Sequence, residues 1–195
     1  MPKAVDTELG SLQPMLQHSP RGVDPTDPLV RKMREITSKG SKKKSEADLA
    51  EQDWLEFQLA LYWNGKYVYV PDTAIMGMIR DGARQNRRGR EVQSGVDVVG
   101  EEIPLIYDGP KTPRELYDAR FVDRRPAGIM KARVMRVRPR FNDWRLKFRL
   151  LIDDNVLNVG DVKAALEIGA AQKGLLDHRP RFGRCEVKSW KEVPA

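Results

Sequence analysis

The clearest pattern in the chain is Trp144 to Ile152, WRLKFRLLI, where Leu146, Phe148, Leu150 and Ile152 alternate with Arg145, Lys147 and Arg149. A period of two is what a strand with one buried face requires, because successive side chains point to opposite faces. Leu151 alone interrupts it. Just before it, Met130 to Arg138 is strand-like, and Arg140-Phe141-Asn142-Asp143 can turn the chain. Residues 160–174 then set Val162, Ala165 and Leu166 at helical spacing, and RCEVKSWKEV predicts a last strand. Strand, turn, strand, helix, strand is what the end of a ferredoxin-like β-α-β-β-α-β unit shows.

Upstream, Val5, Leu9, Leu12 and Leu16 predict a first strand within residues 4–17. The stretch His18 to Pro28, HSPRGVDPTDP, carries three prolines and a glycine and reads as a loop. Leu29, Met33 and Ile36 predict a short helix, followed by a solvated basic linker, SKGSKKKS. Glu46 to Trp63 predicts a stronger helix on Leu49, Trp54, Leu55, Leu59 and Tyr62, with Ser45 and Asp48 able to cap its start. KYVYVP reads as a strand. The next helix, DTAIMGMIRDGARQNRRG, has Ile75, Met76, Ile79 and Ala83 as its apolar stripe and Arg84, Arg87 and Arg88 in its last turn. VQSGVDVVGEEIPLIY predicts one or two strands, ending at Asp108-Gly109-Pro110. From Lys111 to Gly128 there are few apolar residues and no lasting periodicity, which predicts a long loop of the functional or mobile kind. The fold class expected is α+β: one domain over 1–195 with a ferredoxin-like core, a helical insertion at 19–63 and a basic loop insertion at 109–130.

Composition narrows the function classes. At 195 residues the chain can bury a real core. It has no apolar run near the ~20 residues that span a bilayer, and MPKAVDTELGSL lacks the charged start and apolar core of a secretory signal. Cys185 is the sole cysteine, so no intramolecular disulfide forms, which suits a reducing cytosol. With His18 and His178 it falls short of the about four ligands of a Cys/His zinc site, and no GxxxxGK[ST] loop is present. No cofactor is expected.

Charge changes the picture most. The net charge is +7. Between Lys111 and Leu150 there are 13 Lys/Arg and four acids, 13 − 4 = +9, so the remainder of the chain sums to 7 − 9 = −2. A local excess of that size suits a polyanion. Arginine dominates in RFVDRR (Arg120 to Arg125) and KARVMRVRPR (Lys131 to Arg140), and its planar fork suits bidentate phosphate contact. On a strand, Arg136, Arg138 and Arg140 share one face at steps of about 7 Å, with Arg124, Arg125 and Arg133 nearby. Phe121, Phe141 and Trp144 are either stacking partners for bases or core. In LLDHRPRFGRCEV, Arg179, Arg181 and Arg184 can pair with phosphates and Gly183 permits close backbone approach. Phe182 in the same loop either stacks on a base or caps the core. His18 and His178 could in principle do general acid–base work on a phosphodiester. A lone histidine in a polar loop is more often structural, so binding without catalysis is expected.

Two of these stretches resemble a known family. VPDTAIMGMIRDGAR (Val70 to Arg84) resembles the "IPGSSLKGALR" pattern of the RAMP superfamily, the RNA-binding proteins of CRISPR systems. GLLDHRPRFGRCEV resembles that superfamily's final glycine-containing loop, which leads into the last strand of an RRM-like fold. MLQHSPRGVDPTDPL, the helix at Asp72, IYDGP, ARFVDRR and RPRFGRCEV together resemble short phage-encoded proteins related to the backbone subunit of CRISPR effector complexes. The chain departs from the superfamily at Asp72, where a glycine usually follows the proline, and in having only Gly174 and Gly183 in its final loop. The resemblance implies an RRM-like core, a single-stranded nucleic acid as partner with RNA favoured over DNA, and a bacterial cytoplasm as the setting. It also implies a homo-oligomer assembled head to tail along the strand, since a heterologous contact that does not close makes a filament. His18, just after the first strand, stands where RAMP-type RNA-cleaving enzymes often carry a general acid/base. Two other readings stay open: a virion or assembly protein whose arginines meet an acidic protein partner, and an RNA-cleaving enzyme using His18 or His178.

Overall fold

The alternation at the end of β1 (Lys3–Ser11) buries Val5, Thr7 and Leu9 on one face and leaves Asp6 and Glu8 on the other. In the computed structural model, which describes residues 2–40, 43–129 and 132–194, this strand is followed by β2 (Met15–Leu16), α1 (Pro28–Thr37) and α2 (Glu46–Ala60). Then come β3 (Tyr69–Pro71), α3 (Asp72–Ala83), α4 (Gly89–Gly95), β4 (Val96–Val98) and β5 (Glu102–Ile106). The chain continues through α5 (Pro113–Asp118), β6 (Val122–Ile129), β7 (Ala132–Phe141), β8 (Arg145–Ile152), α6 (Val159–Ile168) and β9 (Cys185–Val193). Two compact units result. Unit 1 comprises Met1–Met15, Asn64–Asp108 and Phe141–Ala195; unit 2 comprises Leu16–Trp63 and Gly109–Arg140.

Unit 1 is the ferredoxin-like core. Its sheet runs β3-β5-β8-β1-β9, with β4 also paired to β8, and every pairing is antiparallel. Taking β1, α3, β4, β8, α6 and β9 as the six elements gives β-α-β-β-α-β with spatial strand order 4-1-3-2. The predicted alternation in β8 holds: Leu146, Phe148, Leu150 and Ile152 are buried, and Arg145, Lys147 and Arg149 are exposed. The stripe on α3 is Ile75, Met78, Ile79 and Gly82, so Met78 takes the buried place expected of Met76. The two helices meet at glycines. A Cβ on Gly82 would lie 2.0 Å from the Ala165 carbonyl oxygen, and one on Gly169, where α6 passes into a π-helical turn, 2.3 Å from that of Met78. α4 takes the place of the start of the strand predicted from VQSGVDVV. Its GREVQSG sequence hides a short helix because glycines serve as its packing surface, Gly95 lying against Val156.

Unit 2 corrects the reading of 109–130 as a loop. Thr112 accepts from the Glu115 N–H and Pro113 sits in the first turn, which starts α5 and buries Leu116. β6 and β7 then form an antiparallel hairpin in register, Asp123 opposite Arg138 and Arg125 opposite Arg136. β6 escapes a hydrophobic pattern because one of its buried positions is Asp123, only 5% exposed and neutralised by Arg125 and by Arg140 at 3.8 Å. α2 carries the expected capping box of Ser45 and Asp48. Its Leu49 is exposed, while Phe57 joins Leu55 and Leu59 in the core.

Candidate nucleic-acid interface

The net charge belongs to unit 2. That unit holds 18 Lys/Arg and 11 Asp/Glu, 18 − 11 = +7, which leaves unit 1 neutral. Within it β7 presents Arg136, Arg138 and Arg140 half-exposed, with Val137 and Pro139 between them buried, so the three arginines share one face as the pattern predicts. Each is steadied by its surroundings. Arg136 donates to Glu56 of α2 at 2.9 Å, and Arg140 reaches Asp123 at 3.8 Å. Arg138 stands opposite Asp123 in the hairpin register. Arg125 makes a two-pronged pair with Asp123, which raises its pKa above the usual arginine value. Arg124 is partly desolvated, which works against its charge. Hydrogen bonds to Asp53 at 3.0 Å and to the Tyr117 hydroxyl at 2.9 Å more than offset this and raise its pKa. The side chain of Arg133 and all of Lys131 lie outside the described residues.

A stacking surface stands beside these arginines, built from aromatics the sequence pattern assigned to a core stripe or passed over. The Arg114 guanidinium lies 5.2 Å from the centre of the Trp54 ring and 5.8 Å from that of Tyr117, and Arg124 lies 5.5 Å from Tyr117. Trp54 and Tyr117 meet edge to face at 5.3 Å, and both are half-buried. The three rings named from the sequence are placed otherwise. Phe141 and Trp144 are fully buried, the first against Tyr107 and the second donating its indole N–H to the Gln13 carbonyl at 3.0 Å. Phe121 lies over Gly109, where a Cβ would come within 2.5 Å of the ring.

In unit 1 the final loop is tied to itself. Gly174 and Gly183 both have positive φ, Leu175 N–H donates to the Gly183 carbonyl at 2.9 Å, and Gly183 N–H donates to that of Pro14 at 2.8 Å. A Cβ on Gly183 would stand 2.1 Å from the Leu175 carbonyl oxygen, so the backbone that this glycine admits is the protein's own. Phe182 is 7% exposed, with the His178 ring 5.6 Å away; it caps the core and is not presented to a base. Arg179 and Arg181 are exposed, and Arg184 is half-buried. The structure brings Arg84 and Arg179 together on one carboxylate, Asp81, at 2.9 and 3.6 Å. Arg87 is exposed in a left-handed turn after α3. Arg88 is held by Glu91 and Asp161, which raises its pKa and joins the starts of α4 and α6.

The exposed face of the central strands is a lattice of charges. Arg149 pairs with Asp6 at 2.7 Å and holds its carboxyl below the usual range, and Glu8 meets Lys147 at 3.3 Å and Arg145 at 3.6 Å. β1 and β8 place no aromatic ring there, unlike the sheet of an RRM that stacks bases on its central strands.

No family model matches the chain, and no curated protein does. Among solved structures, a chain from the cryo-EM structure of the Type III-B Cmr-beta bound to cognate target RNA is similar at 11% identity, with a TM-score of 0.49. The match covers 98% of this chain and 61% of that one, so this chain spans about three-fifths of its solved counterpart. A likeness this distant carries no argument about function.

The two histidines fall in different units. His178, in unit 1, is exposed with positive φ. His18, in unit 2, is exposed and lines a pocket with Glu56 and Arg136. Among the described residues no group of three or more His, Cys, Asp or Glu is arranged to hold a metal ion, and no helix is long and apolar enough to cross a membrane.

Proposed function

We propose that the chain binds single-stranded nucleic acid, mainly through its backbone, on the β6–β7 hairpin and the adjoining α2 and α5 of unit 2. The observation that carries the reading is the arginine row on β7, set in the unit that holds the whole net charge. Steps of about 7 Å along one strand face suit successive phosphates of an extended backbone, and Trp54 and Tyr117 under Arg114 and Arg124 supply rings of the kind single-strand binders use. Arg84, Arg179 and Arg181 in unit 1 are further backbone contacts in this reading. RNA is favoured over DNA, and assembly is head to tail along the strand, both on the resemblance of the sequence to the RAMP superfamily. Binding proceeds without cleavage.

The test is titration of a homopolymer and a mixed-sequence oligonucleotide, as RNA and as DNA, at several salt concentrations. Released counterions make log affinity fall linearly with log salt, and that fall is the expected result. Flat affinity overturns the reading. It would favour an acidic protein partner, for which the pairs Arg124–Asp53 and Arg136–Glu56 already show how these arginines receive carboxylates.

A further inference from the structure

Unit 2 contains a pocket of about 210 Å³ that the backbone-binding reading does not use. His18, Ser19, Thr37, Gln52, Glu56 and Arg136 supply its polar lining, and Met33, Leu59, Ala60 and Val134 its apolar lining. Sites for drug-sized ligands run to roughly 300–1,000 Å³, so this one suits a single planar heterocycle and not a whole cofactor. Its one cation and one carboxylate neutralise each other, which selects for an uncharged ligand with hydrogen-bonding edges. The single bond between Arg136 Nη1 and Glu56 Oε1 takes one of five guanidinium N–H groups and one carboxylate oxygen, leaving donors and an acceptor side by side. Val134 and Arg136 stand on the face of β7 that also carries Arg138 and Arg140. The pocket is therefore in line with the phosphate-spaced row.

We propose that this pocket takes one unstacked base of the bound strand, guanine in preference to the other bases; the inference rests on the single-strand reading above. Guanine offers acceptors at O6 and N7 for Arg136 and donors at N1 and the 2-amino group for Glu56. Adenine and cytosine each offer the carboxylate one exocyclic amino group and uracil one ring N–H, where guanine offers it two adjacent donors. Binding is thus backbone-driven along the strand with one base read.

The experiment compares 12-nucleotide oligouridine with the same strand carrying one central guanine, and with inosine in its place, by fluorescence anisotropy at one salt concentration. Guanine is expected to tighten binding about tenfold, and inosine, which lacks the 2-amino donor, to lose most of that gain. Glu56→Gln is expected to abolish the preference, read within that variant as the ratio of its affinities for the guanine and oligouridine strands. Gly22→Phe, at an exposed lining position where a Cβ meets nothing within 4 Å, should do the same by occupying the space. Thermal melts confirm that both variants are folded, and the wild-type comparison needs neither. Equal affinity for the uridine and guanine strands overturns the pocket assignment and leaves strand binding standing. Failure to bind any of the three strands overturns both.

Discussion

The carbonyl oxygen of Ala165 lies 2.0 Å from the point where a Cβ on Gly82 would stand. α3 and α6 approach so closely that no side chain fits at this crossing, and the obstacle is backbone, which cannot rotate away. Gly82→Ala is therefore expected to cost at least about 3 kcal/mol or to prevent folding. Gly77 on the same helix has nothing within 4 Å of its Cβ position. Gly77→Ala should stabilise by about 0.5–1 kcal/mol through helix propensity alone. Urea melts of the two variants check the crossing; similar effects in both would contradict it.

The two faces of β8 make a second comparison. Phe148 is buried opposite Thr7, and Lys147 is exposed with Glu8 as its partner at 3.3 Å. Phe148→Ala should cost roughly 3–5 kcal/mol. Lys147→Ala should stay within about 0.5 kcal/mol of wild type, as exposed ion pairs contribute little. Equal destabilisation would mean the faces are reversed.

For the arginine row, replacement of Arg136, Arg138 and Arg140 together by Gln should weaken binding to every single strand tested. On oligouridine, where no guanine engages Arg136, three lost phosphate contacts should reduce the log–log salt slope by about two units. The same triple change at Arg179, Arg181 and Arg184 tests the final loop of unit 1 separately. A wild-type slope in the β7 triple variant would remove the row from the interface.

Phe182 answers a different question. As a buried cap beside His178, it should lose roughly 1–2 kcal/mol of stability on change to Leu, with a lower melting temperature. Affinity measured on the folded variant should be unchanged. Weaker binding at constant stability would instead mean that the ring meets a base.

Cys185 is buried in β9, and burial, with a smaller contribution from Glu186, pushes its thiol from 9.0 up to about 12; burial does the same to Tyr107, from 10.0 to about 12. The folded chain keeps these protons at a pH where the unfolded chain releases them. Stability is thus fully present below pH 9 and falls as pH rises from there toward 12. Cys185→Ala should make this alkaline decline shallower. Iodoacetamide at pH 8 should label Cys185 only on unfolding, and fast labelling of the native protein would refute the burial.

Much of unit 1 was legible in the sequence because its strands carry the period-two signal on residues that pack, Val5 and Leu9 in β1 and Leu146 to Ile152 in β8. α4 was not, since two of its three buried positions are glycines, which have no hydrophobicity to display. β6 was missed for a related reason: Asp123 occupies a buried position and is solvated by arginines from its own hairpin. The site was legible as a row of charges but not as a surface. A local excess of +9 overlooks acids supplied from elsewhere in the chain, Asp53 and Glu56 to the hairpin and Asp6 and Glu8 to β8. Trp54 and Tyr117 gave no sign of their contacts with Arg114 and Arg124, because which arginine covers a ring is decided by tertiary contact between α2, α5 and β6.

The place of β1 between β8 and β9 has a consequence for the nascent chain. Asp6 and its partner Arg149 are 143 positions apart, and every residue of unit 2 is synthesised between them. During translation both edges of β1 stay unpaired until the C-terminal third has left the ribosome, while both segments of unit 2 are already out. Closing so long a loop is slow. The strand at the centre of the finished sheet is made before both of its partners and enclosed only when they arrive.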